Sequence, residues 1–308
     1  MPDRLMLLDS ASLYFRAFYG VPDTVHAPDG RPVNAARGLL GMIAKLVARY
    51  EPTHLVACWD DDWRPQWRVD LIPSYKRHRV AEVTATGPDV EEVPDSLEVQ
   101  VPVIRDALTA LGIPIVGQAD HEADDIIGSL ASQSTIAVDA VTGDRDLFQL
   151  VDDDRDVRVV YTGRGMNKLE VLDGAAVLAK YGIRPRQYAD FAVMRGDASD
   201  GLPGVAGVGE KTAATLLAAH GDLAGIRVAA EAGVGMSAGV RAKLRAASAY
   251  LDVAPRVVEV VRDLVLGPVP STESRIRVAD AAALEAATDR WNLGQSATRA
   301  AAALAARG

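Results

Sequence analysis

This chain of 308 residues has little of several features that mark particular classes of protein. Its one cysteine, Cys58, excludes a disulfide framework and a thiolate metal site, and is expected to pack as a small hydrophobic residue. No run of about 18 apolar residues occurs, so no transmembrane helix is predicted. The first residues lack an apolar stretch and a small-residue cleavage site. We therefore expect a cytoplasmic protein that is neither exported nor held at a membrane.

The chain also lacks an excess of basic residues, since its formal net charge is −9. Proteins that bind nucleic acid usually carry a basic face, so this balance alone argues against such a partner. The composition, 49% apolar and 5% aromatic, fits one or two globular domains with a large core. A local basic patch remains possible, because equal numbers of acids and bases are left when nine acids with unusual positions are set aside: Asp9, Asp60, Glu122, Asp124, Asp125, Asp144, Asp146, Asp197 and Asp200.

Short apolar segments alternate with helical patterns in the first half of the chain. Residues 5–8, 55–59, 113–116, 136–141 and 157–161 are predicted as strands, and 34–50, 96–111 and 121–131 as helices. This alternation predicts an α/β fold, a mostly parallel twisted sheet with helices on both faces. Ligands of such folds bind at the carboxyl ends of the strands, where Asp9, Asp60, Asp144 and Asp146 lie.

Two regions depart from this alternation. From about residue 184 the pattern becomes helical, with glycine-rich turns and alanine-rich segments, which predicts a core at 1–183 and a helical lobe at 184–308. Residues from about 63 to 95 lack clear core periodicity and are rich in Arg, Lys, Pro and Gly before becoming acidic. A stretch of this length inside a compact domain is usually functional or mobile.

Most of the nine acids occur in short groups that a fold does not need: 121–125 (HEADD), 143–146 (GDRD) and 196–200 (GDASD). Like charges held together cost free energy unless a cation neutralises them, and Mg²⁺ and Mn²⁺ prefer oxygen ligands. Two such ions can activate water and stabilise the leaving oxygen of a phosphodiester. Acids are also favourable at helix N-termini, and Asp120 could simply cap a helix. The repeated spacings along one sheet edge nevertheless favour metal ions.

Two further segments suggest nucleic acid. Residues 75–79 (YKRHR), with Arg64, Trp67 and Arg68 upstream, combine cations for phosphate with rings that stack on unpaired bases, although a solvated surface run is the alternative. Residues 201–212 (GLPGVAGVGEKT) form a predicted glycine-rich turn leading into a helix. Such a turn allows close backbone approach, and the first amides of a helix bind phosphate, although a plain helix hairpin shows the same pattern.

In this order the motifs resemble those of the 5′-nuclease superfamily, which includes flap endonucleases and the 5′-nuclease domain at the N-terminus of bacterial DNA polymerase I. The resemblance rests on 7–10 (LLDS), Asp60, 75–79, 122–125 (EADD), 142–147 (TGDRDL) and 196–204 (GDASDGLPG). It covers most of the first 220 residues, and none of the family's carboxylates is missing. It implies a helical arch at about 63–95 and a helix-two-turn-helix DNA-binding motif at about 196–220.

The resemblance also implies roles for individual residues. The nine acids would hold two divalent ions, or three, and the first ion would belong to Asp9, Asp60, Glu122 and Asp124. Lys76 and Arg79 would steady the scissile phosphate as catalytic residues. Tyr75 would stack on a base near the cut, and Arg68 would be a further DNA contact. The turn would grip the duplex backbone independently of sequence, with K⁺ at its carbonyls, through Gly204, Gly207, Gly209, Lys211 and Thr212.

We therefore expect a monomeric, structure-specific nuclease, dependent on Mg²⁺ or Mn²⁺, that removes 5′ flaps and degrades 5′ ends. Its substrates would be DNA with a 5′ flap, 5′ overhang or nick, and RNA primers on DNA, in replication and repair. Since the sequence holds no polymerase, a free-standing nuclease is expected. Two alternatives remain, a metal-dependent ribonuclease on a related fold and a non-catalytic flap-binding protein. The glycine-rich turn and the basic segment favour DNA, and the complete set of carboxylates favours catalysis.

Overall fold

The computed structural model of the protein describes residues 2–84, 89–267 and 274–308. In these ranges the strands are Arg4–Asp9 (β1), His54–Cys58 (β2), Val80–Glu82 (β3), Val90–Glu91 (β4), Ile115–Val116 (β5), Ala137–Thr142 (β6), Val157–Tyr161 (β7) and Glu170–Leu172 (β8). Six of them form one sheet in the order β5-β2-β1-β6-β7-β8. Every neighbouring pair is parallel except β7 and β8, which are antiparallel, so the predicted mostly parallel sheet is confirmed.

Helices cover both faces of this sheet, as predicted. Within the described ranges they are Ser10–Gly20 (α1), Asn34–Tyr50 (α2), Gln66–Leu71 (α3), Asp95–Glu98 (α4), Val101–Ala110 (α5), Ala123–Gln133 (α6), Gly174–Tyr181 (α7), Tyr188–Arg195 (α8), Glu210–His220 (α9), Leu223–Ala232 (α10), Ala238–Ala246 (α11), Ser248–Val258 (α12), Ala281–Trp291 (α13) and Gly294–Ala305 (α14). None of these helices is both long enough and apolar enough to cross a membrane.

The central strand β1 is apolar on both sides. Leu5 and Leu7 pack into a core formed with α6, α8, α9 and α12, whereas Met6 and Leu8 pack into a second core formed with α1, α2, α5 and α14. Successive side chains of a strand point to opposite faces of the sheet. A strand covered by helices on both faces therefore needs a continuous apolar run, which is the pattern that identified it in the sequence.

The predicted helices are found in place, with some different ends. The helix expected at 96–111 is divided into α4 and α5, and Pro102 lies in the first turn of α5, where its missing N–H breaks no helical hydrogen bond. The helix expected from 121 begins at Ala123, because Glu122 is its N-cap. Neither α1, which follows β1 without a loop, nor β8 was predicted from the sequence.

The segment expected as a helical arch, about 63–95, is only partly helical. It contains α3, a 3₁₀ turn at Arg77–Arg79 and the antiparallel pair β3–β4, which does not join the main sheet. The buried guanidinium of Arg64 pairs with Asp89 and donates to the carbonyls of Tyr75 (2.6 Å) and Pro73 (3.2 Å). These contacts fold the base of the segment against the core, and the structure differs from the expected helical arch at β3 and β4.

Residues 274–308 return to the core around the main sheet instead of staying with the helical lobe. The Leu55 amide of β2 donates to the Ser274 carbonyl (2.8 Å), and the Ile276 amide donates to the Thr53 carbonyl (2.9 Å). Helix α14 then packs along α2, with Ala300 and Leu304 inside the second core. The last part of the expected lobe at 184–308 therefore packs against the sheet core, because its apolar helix face is buried on α2.

Candidate active site

Asp9 stands where β1 ends and α1 begins. Its Oδ1 accepts a hydrogen bond from the Ser12 amide (3.0 Å), which caps α1, and its Oδ2 accepts one from the Thr142 hydroxyl (2.6 Å). Thr142 is the last residue of β6, the strand beside β1. The carboxylate thus joins the carboxyl ends of two neighbouring strands, and Asp9 is only 5% exposed there.

Asp60, two residues beyond β2, contacts the start of α6. Its Oδ1 accepts a hydrogen bond from the Ala123 amide (2.8 Å). The first amides of a helix have no partner inside the helix, so a carboxylate is favourable at this position. The contact places the first turn of α6, with Glu122 and Asp124, at the same edge of the sheet as Asp9.

Five of the nine predicted metal ligands line one cleft of about 310 Å³ at the carboxyl ends of β1, β2 and β6: Asp9, Asp60, Glu122, Asp124 and Asp144. Two predicted catalytic residues, Lys76 and Arg79, line the same cleft. The structure therefore brings together acids that come from strand ends and a helix start with bases that come from the segment after α3. Such a cleft can hold both cations and a phosphate.

The acids of the cleft are desolvated and repel one another. Burial, followed by the charge of Asp60, raises the pKa of Asp9 to about 7, and burial raises the pKa of Asp60 to about 6. Burial and the charge of Asp144 raise the pKa of Asp124 well above its usual value. Each shift means that the protein alone stabilises the ionised carboxylates poorly, and bound cations would stabilise them.

A second group of acids adjoins Asp144. The Asp146 amide donates to Asp144 Oδ1 (2.8 Å), and Asp146 is 8% exposed, with its buried Oδ1 accepting no hydrogen bond from a described residue. Burial and the charges of Asp144 and Asp200 raise the pKa of Asp146 well above its usual value. A buried oxygen without a donor costs free energy, and a cation would satisfy it.

Arginines partly neutralise the remaining two acids of this group. Asp197 accepts a hydrogen bond from Arg195 (3.0 Å), and Asp200 accepts a long one from Arg79 (3.3 Å). Burial still raises the pKa of Asp200. Both acids follow α8, so the helical lobe supplies two of the three acids of this second group.

The arrangement of the acids fits hydrated ions. Across 2–84, 89–267 and 274–308, no three His, Cys, Asp or Glu side chains form a ready-made metal-binding group. Mg²⁺ usually keeps several waters and takes one or two protein carboxylates together with substrate phosphate. The desolvated acids of the cleft and the orphaned Asp146 oxygen match that kind of site, and do not match a closed cage of protein ligands.

Asp125 does not face the cleft, although it was predicted as a metal ligand. It is fully buried and forms a two-pronged ion pair with Arg68, with both N–O distances at 2.7 Å. Its Oδ1 also accepts a hydrogen bond from the Val261 amide (2.9 Å), beyond α12. Although burial opposes ionisation, the hydrogen bonds and charge of Arg68 lower the pKa of Asp125. Asp125 is thus already neutralised by the protein in this conformation, and its assignment as a metal ligand stays a prediction.

Arg68 was predicted to contact DNA, but it is 3% exposed. Besides its bonds to Asp125, it donates to Glu122 (3.1 Å) and to the Val257 carbonyl at the end of α12 (3.1 Å). The guanidinium therefore connects α3, α6 and α12. It is a structural link between the basic segment, the acidic cleft and the helical lobe, and its predicted DNA contact stays a prediction.

Three donors hold the Glu122 carboxylate. The Tyr75 hydroxyl donates to its Oε1 (2.7 Å), Arg68 donates to the same oxygen, and the Lys76 ammonium pairs with its Oε2. Tyr75 is 4% exposed, so its ring offers no face to a base in this conformation, and the predicted stacking role stays a prediction. The burial of Lys76 opposes its charge, yet Glu122 raises its pKa well above the usual value, so Lys76 stays charged.

The segment after α3 is bound to the turn that carries Asp200. The Lys76 amide donates to the Asp200 carbonyl (3.0 Å), and Arg79 donates to the Ser199 carbonyl (2.8 Å). The Ser74 hydroxyl donates to the Gly201 carbonyl (2.8 Å). These contacts fix the two bases between the first group of acids and the second.

The glycine-rich turn leads from the second acidic group into α9. Gly207, Gly209 and Lys211 are exposed and Thr212 is half-buried, which leaves these four accessible for the predicted contacts. Gly209 is the N-cap of α9, and no side chain among the described residues caps this helix, so its first amides have no capping partner there.

Gly204 is buried, unlike Gly207 and Gly209 of the same turn. Its φ is +65°, and a Cβ added there would lie 2.5 Å from the Gly196 amide nitrogen. Glycine is needed at this position because two backbone segments meet closely, and the predicted DNA contact at Gly204 stays a prediction.

Several residues of the cleft were not singled out from the sequence: Ser12, Phe15, Trp63, Glu91 and Ser199. Ser12 and Phe15 belong to α1, whose start directly after Asp9 was not predicted. Glu91 lies on β4, and burial raises its pKa, although Arg79 opposes the shift. The signal for Ser12 and Phe15 was their spacing of three and six residues from Asp9, which places them on the same side of a helix.

Known proteins match this chain along most of its length. The family described as 5'-3' exonuclease, N-terminal resolvase-like domain, matches residues 4–182, and 5'-3' exonuclease, C-terminal SAM fold, matches residues 183–281. A 5'-3' exonuclease of Streptomyces coelicolor is 58% identical over 297 residues, which cover 96% of this chain and 98% of that protein. One of Mycobacterium tuberculosis is 53% identical over 271 residues, with 85% of each chain covered.

A solved structure shares the fold at low identity. The bacteriophage T5 flap endonuclease, in a pseudo-enzyme-product complex with DNA and metal ions, has a TM-score of 0.65 and 17% identity, and the match covers 98% of this chain and 99% of that one. The matches confirm the resemblance predicted from the acidic and glycine-rich motifs. The chain belongs to the 5′-3′ exonuclease family, within the 5′-nuclease superfamily.

Proposed function

We propose that this protein is a divalent-metal-dependent, structure-specific 5′ nuclease that removes 5′ flaps and degrades the 5′ ends of DNA. The observation that carries the proposal is the shared cleft, in which five carboxylates and the bases Lys76 and Arg79 meet at the carboxyl ends of three parallel strands. Carboxylates alone would suit a site that binds cations without a substrate. The positive charges of Lys76 and Arg79 suit a phosphate that is coordinated to the cations.

The acids and bases of the cleft would divide the work. Asp9, Asp60, Glu122 and Asp124 would hold ions in the first group, and Asp144 with the second group would hold the others. Mg²⁺ or Mn²⁺, when bound, would activate water and neutralise the leaving oxygen. Lys76 and Arg79 would orient the scissile phosphate, so catalysis would rest on positioning and charge rather than on a protein nucleophile.

The exposed part of the turn before α9 would hold the duplex that adjoins the flap. Gly207, Gly209, Lys211 and Thr212 are accessible there, and backbone amides with a lysine suit phosphate oxygens. Phosphate contacts position a duplex without specifying its sequence. The partner would be DNA with a 5′ flap, a 5′ overhang or a nick, and RNA primers on DNA, and the protein would act as a monomer in replication and repair.

Cleavage of a labelled 5′-flapped duplex with Mn²⁺ or Mg²⁺ tests the proposal. The protein should release the flap, and EDTA should stop the reaction. Asp144→Asn should abolish release and keep measurable binding of the junction. An intact flap after incubation with Mn²⁺ would contradict a nuclease and favour a flap-binding protein.

The substrate class needs a separate comparison. Matched flaps of DNA and RNA on the same DNA duplex should both be released if the turn grips the duplex and the cleft accepts either 5′ strand. Cleavage of single-stranded RNA in preference to either flapped substrate would instead favour a metal-dependent ribonuclease.

A further inference from the structure

Lys243 of α11 reaches the glycine-rich turn from another part of the helical lobe. Its ammonium donates a hydrogen bond to the Gly207 carbonyl (2.9 Å). Gly207 has a φ of +72°, and a Cβ added there would lie 2.7 Å from Lys243 Nζ. The turn therefore needs glycine at this position both for its backbone conformation and for the approach of this lysine.

The carbonyls of the turn are the atoms at which the resemblance implied a K⁺ ion. Two of them already have donors, since Lys243 takes the Gly207 oxygen and the Val208 amide donates to the Val205 oxygen (2.9 Å). An alkali cation at the Gly207 oxygen would stand beside the ammonium, and like charges repel. The residues present therefore do not fit K⁺ while Lys243 keeps this contact.

The charge of Lys243 is also uncompensated. Lys243 is exposed and makes no ion pair with a residue that the structure describes. Lys243 contacts Gly207, which lies two residues before the N-cap of α9. The N-terminus of a helix carries positive potential. Lys211 is exposed in the first turn of this helix. Three sources of positive potential meet here, and the one acid in the first turn of α9, Glu210, pairs with Arg195 (3.7 Å). This balance favours an anion such as a backbone phosphate.

We propose that Lys243 supplies, from within the chain, the positive charge expected from K⁺ at this turn, and that it binds a phosphate of the duplex there. Duplex binding then needs no particular alkali cation. The inference rests on the proposed nuclease function, because it assigns a residue to the duplex side of the same substrate. It adds a DNA-binding residue that neither the motifs nor the spacing of the sequence indicated.

The test measures binding of a nicked duplex by fluorescence anisotropy in the Asp144→Asn background, so that the DNA stays uncut in Mg²⁺. Chloride is held at about 0.1 M as KCl, NaCl or choline chloride, where phosphate contacts still depend strongly on charge. The protein with Lys243 should bind with the same Kd, within about twofold, in all three salts. Lys243→Met, which keeps the aliphatic stem, should raise Kd about tenfold in NaCl and choline chloride, as expected for the loss of one charged contact.

Lys243→Met should also regain part of its affinity in KCl, because removal of the ammonium frees the Gly207 carbonyl for K⁺. The slope of log K against log salt should fall in magnitude by about 0.9, the value for one phosphate contact. Lys243→Arg keeps the charge and should bind like the parent. Lys180→Met is the matched control, because it removes one lysine charge, paired with Glu170, outside the turn, and it should leave Kd unchanged.

Two results would overturn the inference while leaving the nuclease function intact. One is tighter binding by the parent in KCl than in the other salts, which would show that K⁺ occupies the turn. The other is an unchanged Kd for Lys243→Met, at an unchanged melting temperature. Failure of the parent to bind the nicked duplex in any salt would instead overturn the proposed function and this inference together.

Discussion

At the scale of single residues, two neighbouring acids of the first turn of α6 have opposite environments. Asp124 lines the cleft, and burial with the nearby Asp144 raises its pKa. Asp125 is fully buried in an ion pair with Arg68, which lowers its pKa. The first acid lacks a neutralising partner in the protein and the second has one. Only Asp124 is therefore available to an ion in the cleft.

We expect Asp125→Asn to weaken the fold far more than the chemistry. Breaking a buried ion pair leaves Arg68 poorly compensated, so the free energy of unfolding should fall by about 3–5 kcal/mol. Cleavage of a flapped duplex at a temperature where the variant is folded should fall by no more than about 10–100-fold, the range for a supporting residue near a metal site. Denaturant unfolding and single-turnover cleavage measure the two effects.

Asp124→Asn is the matched control for this substitution. It should abolish cleavage and leave the metal-free protein as stable as the parent or more so, because it removes a desolvated charge. If Asp125→Asn abolished cleavage in the folded state as well, Asp125 would have to leave Arg68 and bind an ion during the reaction.

The raised pKa of Asp9 has a measurable effect on stability in the absence of metal. The folded protein keeps the proton up to about pH 7, whereas the unfolded chain releases it near the ordinary value of 3.8. Between these values the unfolded state binds fewer protons, so the free energy of unfolding should fall as pH rises from about 4 to 7. Asp60, with its pKa raised to about 6, acts in the same direction.

Denaturant unfolding in EDTA at several pH values between about 5 and 8 measures this slope. Saturating Mg²⁺ or Mn²⁺ should raise the stability most at the alkaline end, since cations stabilise the ionised carboxylates and bind only the folded state. Asp9→Asn should flatten the slope in EDTA. A stability that does not change with pH, and does not respond to Mn²⁺, would contradict the interpretation of the cleft as a cation site.

The sequence was sufficient to locate the acids at the correct sheet edge, because strand ends and short acidic spacings are local. The sequence could not distinguish the environments of Asp124 and Asp125. Asp125 pairs with Arg68 and accepts a hydrogen bond from Val261, which is 136 positions away, so neither contact is visible in the local pattern. The sequence also assigned exposed roles to Tyr75 and Arg68, because basic and aromatic residues together are typical of a surface. The burial of Arg68 depends on α12, whose Val257 carbonyl it contacts and whose position is set by tertiary packing.

At the scale of elements, local patterns predicted the strands that matter most for the site. β1, β2, β6 and β7 lie within a residue or two of the predicted segments, because each is a short apolar run that both faces of the sheet bury. α1 escaped prediction because it follows β1 with no turn residues between, and Asp9 is both strand end and helix cap. The sequence did not predict the pair β3–β4, because few residues of that segment are buried.

The contact between the segment after α3 and the turn at Gly201 gives an element-scale prediction. Gly201 has a φ of +68°, and a Cβ there would lie 2.1 Å from the Ser74 carbonyl oxygen. Gly201→Ala should push this segment away from the turn and displace Lys76 and Arg79. Since a misplacement of 1 Å can cost about a hundredfold, kcat for flap cleavage should fall by about 10–100-fold, with a smaller change in Kd for a nicked duplex.

Gly112→Ala is the matched control, because Gly112 has a similar φ of +72° but no atom within 4 Å of the added Cβ. Both substitutions carry the backbone strain of a left-handed conformation, about 1 kcal/mol. Only Gly201→Ala adds the collision with Ser74. Equal losses of activity in the two variants would mean that the contact does not position the bases.

At the scale of the whole molecule, the two ends of the chain meet in one core. Met6 and Leu8 of β1 share it with Trp291, Leu293 and Leu304 near the C-terminus. The sequence predicted one helical lobe to the end, because an alanine-rich helix does not show which surface it will cover. Packing on α2 is a long-range contact, and local periodicity cannot reveal it.

This docking predicts that the nuclease core loses stability when a single residue of α14 is shortened. Leu304 is 1% exposed inside the second core, so Leu304→Ala should lower the free energy of unfolding by about 2–5 kcal/mol, the usual cost of a cavity left by leucine. Val278→Ala, in the same returning segment but 67% exposed, should change it by no more than about 0.5 kcal/mol. Both variants should cleave a flapped duplex normally where folded, since neither residue lines the cleft. Denaturant unfolding measures both changes. If Leu304→Ala lowered the free energy of unfolding as little as Val278→Ala does, α14 would not complete the core in solution.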